Sequence, residues 1–156
     1  TKLSIIESGR KINEKMPDHT VELTSNAFKE CNKSIQNSEI LILGVSYKPN
    51  VKDIQLSPAE YIIEKFQNLG ANVHIYDPNF SSTEVFGIKV EDNLDDVLSK
   101  MDAAVIVTGH DDFKKIKISS FAKMKTPILI DTRGIIEPQS VKQHNIIFRG
   151  LGRGDF

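Results

Sequence analysis

The chain is short of the residues on which many chemistries depend. It has one cysteine in 156 residues, Cys31, so no internal disulfide can form and a reducing, cytoplasmic compartment is expected. Cys31 falls in a helical stretch with no activating histidine close in sequence, and it is expected to be structural. No apolar run approaches membrane-spanning length and no secretory signal is visible, so no membrane partner is expected. Charge of one sign is also missing: 20 Lys and Arg against 21 Asp and Glu leave a net charge of −1. Non-specific nucleic-acid binding needs a large basic excess, so a nucleic-acid partner is not expected either. A small basic pocket for a phosphate stays compatible with that balance. His110 is followed by two aspartates, but no second histidine or cysteine lies nearby. That pattern favours a surface loop over a metal centre.

What is present describes an ordinary globular chain. Hydrophobic residues make up 39% and charged residues 26%, enough to bury a sizeable core without metals or disulfides. The length fits one α/β domain with an appendage. The chain opens on Thr1 without an initiator methionine, which fits either processing or a piece of a longer protein. From Thr1 to about Asn32 the pattern is helical, with Leu3, Ile5, Ile6, Ile12 and Met16 spaced as a helix face. Pro17 is expected to interrupt it, with Asp18 or Thr20 starting a second helix that carries Val21, Leu23, Ala27 and Phe28. Lys33 to Asn37 forms a polar connector.

The pattern then changes. Glu39-Ile40-Leu41-Ile42-Leu43-Gly44-Val45 is a continuous apolar run, as in strands buried on both faces of a parallel sheet. A polar loop, Ser46 to Leu56, leads to Ser57-Pro58-Ala59-Glu60, which carries the marks of a helix start. Tyr61, Ile62, Ile63, Phe66 and Leu69 supply its apolar face, and Gly70 ends it. Asn72 to Asp77 is a second strand, stopped by Pro78. The unit is a βαβ, whose crossover is right-handed. Further strands are expected at Ala103 to Thr108, Pro127 to Asp131 and Asn145 to Phe148, with a short extension at Ile88 to Glu91. Short helices are expected at Leu94 to Lys100, Asp112 to Ile116 and Pro138 to Gln143. The fold class is therefore α/β: a Rossmann-like, doubly wound, mainly parallel sheet preceded by N-terminal helices. Residues 1–36 form the helical part and residues 37–156 the sheet domain.

Ligands of such sheets bind beyond the carboxyl ends of the strands. Tyr47, Lys48 and Asn50 follow the first strand, Asp77 and Asn79 the second, Thr108, His110 and Asp111 the third, and Asp131, Thr132 and Arg133 the fourth. Lys48 and Arg133 can thus converge on one crevice, where a compact ammonium and a planar guanidinium suit a phosphate. On position alone the commoner outcome is that both are solvated loop cations. Tyr47 could stack on a base or sugar, or pack as a lid. Asp53 more often closes a loop than binds a ligand.

The first strand leads into Gly44-Val45-Ser46-Tyr47-Lys48 and not into G-x-G-x-x-G, so the usual pyrophosphate cradle is missing. A P-loop and a G-x-S-x-G elbow are missing too. The sequence as a whole nonetheless resembles a known family. Leu43-Gly44-Val45-Ser46-Tyr47-Lys48-Pro49-Asn50, Asp53, Ser57-Pro58-Ala59, Gly70-Ala71-Asn72-Val73 and Tyr76-Asp77-Pro78 resemble the C-terminal domain of UDP-glucose/GDP-mannose dehydrogenases. Thr108-Gly109-His110-Asp111-Asp112-Phe113 and Asp131-Thr132-Arg133-Gly134 match later segments of that domain. Arg10, Asn13, Met16 and Pro17 resemble the end of its central dimerisation helix. The Tyr-Lys-Pro-Asn and Asp-Thr-Arg-Gly forms look most like the UDP-N-acetylmannosamine dehydrogenase branch.

The resemblance implies a part of an NAD-dependent oxidoreductase that turns a sugar C6 alcohol into a carboxylate in two steps, through a thioester on a cysteine. It implies UDP-sugar contacts for Lys48 and Arg133, with Tyr47 packed beside them. It also implies a parent enzyme whose N-terminal and central regions supply the NAD fold and the nucleophile, and which is a homodimer. The family's arginine and glutamate before Ser-Pro are Gln55 and Leu56 here, so Gln55 is the candidate for the contact toward NAD. Cys31 does not match the family's active-site segment, and no catalytic residue is assigned. The alternative is a standalone regulatory or interaction module of flavodoxin-like build. A receiver of that kind needs an acidic pair after the first strand, which this chain lacks. A third option is a structural role in which the N-terminal helices dock a partner chain.

Overall fold

Backbone N–H and C=O groups must be paired once buried, and a strand apolar on both faces pairs them inside a sheet covered on both sides. The structure, a computed structural model, follows that rule. It describes the backbone of residues 2–153 and the side chains of residues 4–153. Thr1, the Leu3 side chain and residues 154–156, expected in the first helix and the sheet domain, lie outside the described residues. Five parallel strands form the main sheet: β1 (Glu39–Leu43), β2 (Asn72–Tyr76), β5 (Ala103–Ile106), β6 (Ile128–Asp131) and β7 (Ile147–Gly150). Their order is β2-β1-β5-β6-β7.

Alternate residues of each strand feed opposite faces. Ile40, Ile42, Val105, Ile128 and Ile130 point to one core, closed by α1 (Lys2–Glu30) and α2 (Pro58–Asn68) through Val21, Ala27, Phe28, Ile62, Ile63 and Phe66. Leu41, Leu43, Ala104, Ile106 and Leu129 point to the other. That second core is closed by α3 (Leu94–Leu98), α4 (Ile118–Phe121) and α5 (Pro138–Val141), with Phe113 from a 3-10 turn at Asp111–Lys115. α2 starts as expected, with the Ser57 hydroxyl accepting from the Ala59 amide (3.2 Å) and Pro58 at the first helical position.

Two expectations need correction. Pro17 does not interrupt the N-terminal helix: α1 runs unbroken from Lys2 to Glu30, so one helix stands where two were expected. Pro17 still removes one helix hydrogen bond. The turns that follow are held from outside the helix's own ladder. Val21, Thr24, Ala27 and Phe28 are buried, and the Thr20 and Thr24 hydroxyls donate to the carbonyls of Met16 (3.0 Å) and Thr20 (2.8 Å). Asp18, expected as a possible cap, instead ties α1 to α2 through Lys65 (3.2 Å) and Tyr61 (3.3 Å). Packing thus outweighs the local preference of proline. The N-terminal half of α1 leaves Ile5, Ile6 and Ile12 exposed.

The expected extension at Ile88 to Glu91 is half of a hairpin, β3 (Glu84–Val85) and β4 (Ile88–Lys89). Phe86 and Gly87, at φ 52° and 76°, make the turn, as a two-residue hairpin loop requires.

Register decides where a site can form. Leu43 lies opposite Tyr76 and Ile106, Ile106 opposite Asp131, and Asp131 opposite Gly150, so all five strands end level. From β1 the chain moves outward to β2, then crosses to the other side through β5, β6 and β7. The loops after β1 and β5 therefore diverge, which opens a crevice at this switch point. Gly44 makes the close approach possible. It takes φ +86°, and a Cβ there would lie 2.6 Å from the Thr108 Cβ and 2.8 Å from the Thr108 carbonyl. Gly44→Ala is expected to lower unfolding free energy by about 2–4 kcal/mol, from left-handed strain plus overpacking, read as a lower urea midpoint.

Candidate functional site: a cleft at the sheet switch point

The β1 loop is shaped by side chains far away in sequence. Asp77, just past β2, is fully buried. One of its oxygens accepts from the Val45 amide (2.8 Å), the Ser46 hydroxyl (3.3 Å) and His110 Nε2 (2.9 Å), while the other accepts from the Asn79 amide (2.9 Å). Across the ring, His110 Nδ1 accepts from the Asn50 amide (2.8 Å). The Asn50 side chain then bridges to Asp111, donating to its carboxylate (3.0 Å) and accepting from its amide (3.1 Å). Thr108 donates its hydroxyl to the Ser46 carbonyl (2.6 Å). Asp53 closes the loop as expected, its carboxylate accepting from the Gln55 amide (2.9 Å) and its carbonyl from the Tyr47 amide (2.7 Å).

The loop after β6 is built the same way. Asp131, also fully buried, accepts from the amides of Arg133 (2.9 Å), Gly134 (2.9 Å) and Ile136 (2.8 Å). Arg133 Nε donates to the Val107 carbonyl (2.6 Å), which fixes the plane of its guanidinium. Arg153 packs behind this loop and donates to the carbonyls of Gly134 (3.0 Å) and Ile136 (3.2 Å).

Between these loops lies a cleft of about 710 Å³. Tyr47 and Lys48 line it from the β1 loop, Thr132 and Arg133 from the β6 loop, and Lys114 from the turn after β5. Asn13, Met16, Pro17 and Thr20 of α1 close it on the remaining side. Its volume falls in the range of small-molecule sites. The Lys48 ammonium sits 5.7 Å from the Tyr47 ring centroid, within cation–π range. Lys114 is ion-paired with Asp111 (2.9 Å), so the cations of Lys48 and Arg133 are what favour an anion, and a phosphate accepts from both an ammonium and a guanidinium fork.

The sequence-based candidates divide cleanly. Tyr47, Lys48 and Arg133 line the same cleft although Lys48 and Arg133 are 85 positions apart in sequence. Gln55 does not; it is exposed further along the loop, held through its backbone to Asp53. His110 is not the surface-loop residue expected but is 1% exposed, because Asp77 and Asn50 satisfy both ring nitrogens. Cys31 packs partly buried against the α1 core. Burial pushes its thiol up, Lys33 and Arg149 lower it less, and the net direction is upward, away from a reactive thiolate. Among the described residues no group of His, Cys, Asp and Glu has the geometry to hold a metal ion. Sequence reasoning missed Asn13 and Lys114 as cleft walls. The helix resemblance marks Asn13 but not as a cleft residue; that place follows from how α1 lies across the strand ends.

Comparison with known proteins bears on this arrangement. Residues 41–138 match the model of the UDP-glucose/GDP-mannose dehydrogenase family, UDP binding domain. The chain belongs to this family. A UDP-N-acetyl-D-mannosamine dehydrogenase of Pyrococcus horikoshii is 36% identical over 152 residues, which is 97% of this chain and 34% of that protein. The solved structure of the Pyrococcus horikoshii UDP-D-ManNAc dehydrogenase superposes with a TM-score of 0.82 at 35% identity, covering 94% of this chain and 33% of that one. An NDP-N-acetyl-D-galactosaminuronic acid dehydrogenase from Methanosarcina mazei gives 0.85 at 28% identity, over 92% of this chain and 30% of that one. The chain thus spans about a third of the length of the relatives it matches. The cleft is lined by residues of the matched segment, by α1, which precedes it, and by Leu151, which follows it.

Asp77 gives the site a signature in acid. Burial pushes its carboxyl up, but the His110 hydrogen bond and the Val45 and Asn79 amides outweigh burial and hold it below its ordinary value of 3.8. A lowered folded value stabilises the fold above the ordinary value, and that contribution is lost as pH falls through the folded value. Asp77→Asn is expected to cost about 1–3 kcal/mol at neutral pH and to flatten the loss of stability below pH 3.8, measured by urea unfolding across that range.

Proposed function

We propose that this chain is the nucleotide-binding part of an NAD-dependent UDP-sugar dehydrogenase that oxidises a sugar C6 alcohol to the carboxylate. One observation carries the reading: Lys48 and Arg133, from different strand ends, face one cleft at the switch point of the sheet. Lys48 and Arg133 hold the diphosphate, and Tyr47 packs on the base or the sugar. The wall formed by α1, with Met16 and Pro17, keeps water from the apolar side of the ligand. The relatives named as UDP-N-acetylmannosamine dehydrogenases support that sugar as the substrate.

The residues present do not fit NAD. No glycine-rich turn joins β1 to α2, and the α2 N-terminus is capped by Ser57 after a long loop. The chain's own contribution toward the cofactor is therefore confined to Gln55, exposed and outside the cleft lining. NAD bound elsewhere in the parent enzyme would supply the hydride acceptor. This chain's share is to bind and orient the nucleotide end of the substrate. A homodimeric, cytoplasmic parent with N-terminal and central regions completes the reading. Among the described residues no helix is long and apolar enough to cross a membrane.

A regulatory module is the second reading, because the main-sheet order is also that of flavodoxin-like regulators. The loop after β1 begins Gly44-Val45-Ser46 and offers no acidic pair, so the cleft chemistry favours nucleotide binding.

Isothermal titration with UDP tests the proposal. Lys48→Ala and Arg133→Ala are each expected to weaken binding about ten- to a hundredfold, as loss of a charge-assisted contact does, and added salt should weaken the wild type. A double variant with wild-type affinity would sink the reading. The chain alone should form no NADH from UDP-sugar and NAD.

A further inference from the structure

His110 is bonded at both ring nitrogens and almost wholly buried, yet it touches no face of the cleft. Its partners determine its state. The Asn50 amide can only donate, so Nδ1 must accept there, and the ring proton sits on Nε2, aimed at the Asp77 carboxylate. Phe113 meets the ring edge-on at a centroid distance of 5.2 Å and fills the rest of the pocket. An apolar side chain could pack there as well without requiring a buried carboxylate opposite it. The polar ring therefore does something that packing alone does not require.

Its effect is visible in the loop it holds. Asn50 takes a left-handed φ of 62° and is fixed at three points to residues 110 and 111. On the other side, Ser46 is fixed by Asp77 and Thr108. Between these two anchored feet stand Tyr47, Lys48 and Pro49, all exposed and all lining the cleft. The three residues form an arch that places the Lys48 ammonium before any ligand arrives. An arch already ordered loses less conformational freedom on binding.

We infer that His110 is a positioning residue for nucleotide binding: through the Asp77-oriented ring, its Nδ1 holds the Asn50 amide and with it the Tyr47–Pro49 arch over the cleft. This rests on the reading of Lys48 as a diphosphate ligand. Asp77 acts one step further back, by selecting the tautomer that leaves Nδ1 free to accept.

Two variants separate this role from simple packing. Asn carries its carbonyl oxygen near the place of Nδ1, whereas Gln carries its amide nitrogen near the place of Nε2. His110→Asn keeps the acceptor for Asn50, and His110→Gln keeps the donor for Asp77. With UDP as the titrant, His110→Gln is expected to raise Kd about tenfold and to speed hydrogen exchange at the Asn50 amide, while His110→Asn stays within about threefold of wild type. Wild-type affinity in His110→Gln, or equal losses in both variants in step with thermal stability, overturns the inference. Should either variant fail to fold, the wild-type ring answers by itself. Its ¹⁵N shifts should show the Nε2–H tautomer, and UDP should perturb the Asn50 amide; a proton on Nδ1 overturns the inference. A wild-type chain with no response to millimolar UDP, and no difference from Lys48→Ala, overturns the diphosphate reading and the inference with it. A wild-type response that Lys48→Ala weakens and His110→Gln does not overturns the inference alone.

Discussion

Two carboxylates without any exposed surface, Asp77 and Asp131, organise the working edge of this protein. A buried carboxylate left without donors is costly, so its surroundings must supply them. Here the donors are largely backbone amides of the loops that leave the sheet: Val45 and Asn79 for Asp77, and Arg133, Gly134 and Ile136 for Asp131. The need runs both ways, because chain turning out of a strand end exposes amides that have lost their ladder partners. Each aspartate thus satisfies a loop while the loop satisfies it. The two loops carry Lys48 and Arg133, so the same hydrogen bonds that close the fold also aim the cations.

The cleft needs a third wall, and α1 provides it. Its N-terminal half leaves Ile5, Ile6 and Ile12 exposed, whereas its C-terminal half contributes Val21, Ala27 and Phe28 to the core. Asn13 to Thr20 lies between these regimes, at the cleft. Proline in that stretch gives up one backbone bond but presents an apolar ring to the cleft, and the helix survives because later turns are anchored on α2 and the sheet.

The architecture limits what the strand ends can hold. A sheet without a glycine-rich first turn cannot cradle a dinucleotide in the usual way. What its switch point offers instead is a cleft with both cationic and apolar walls. The chain covers about a third of the length of its relatives.

Much of this was legible in the order of residues. Strands β1, β2, β5, β6 and β7 and the Ser57-Pro58 helix start follow from local apolar pattern and turn chemistry, the strand-end rule makes Lys48 and Arg133 candidates for one crevice, and the family rests on a resemblance of motifs. Periodicity reports which side of an element is apolar, and turn chemistry reports where it stops. Neither reports which distant groups will meet. The Asn50 amide reaches His110 across 60 positions, and Asp77 reaches His110 across 33. Those contacts exist only because β2, β1 and β5 lie side by side in level register. The burial of His110, the continuity of α1 through Pro17 and the place of Gln55 outside the cleft were therefore decided by tertiary structure. What the sequence alone determined was the fold class and the cations of the Lys48 loop and the Arg133 loop. Only packing could turn those loops into one site, because a buried polar group chooses its partners in space and not along the chain.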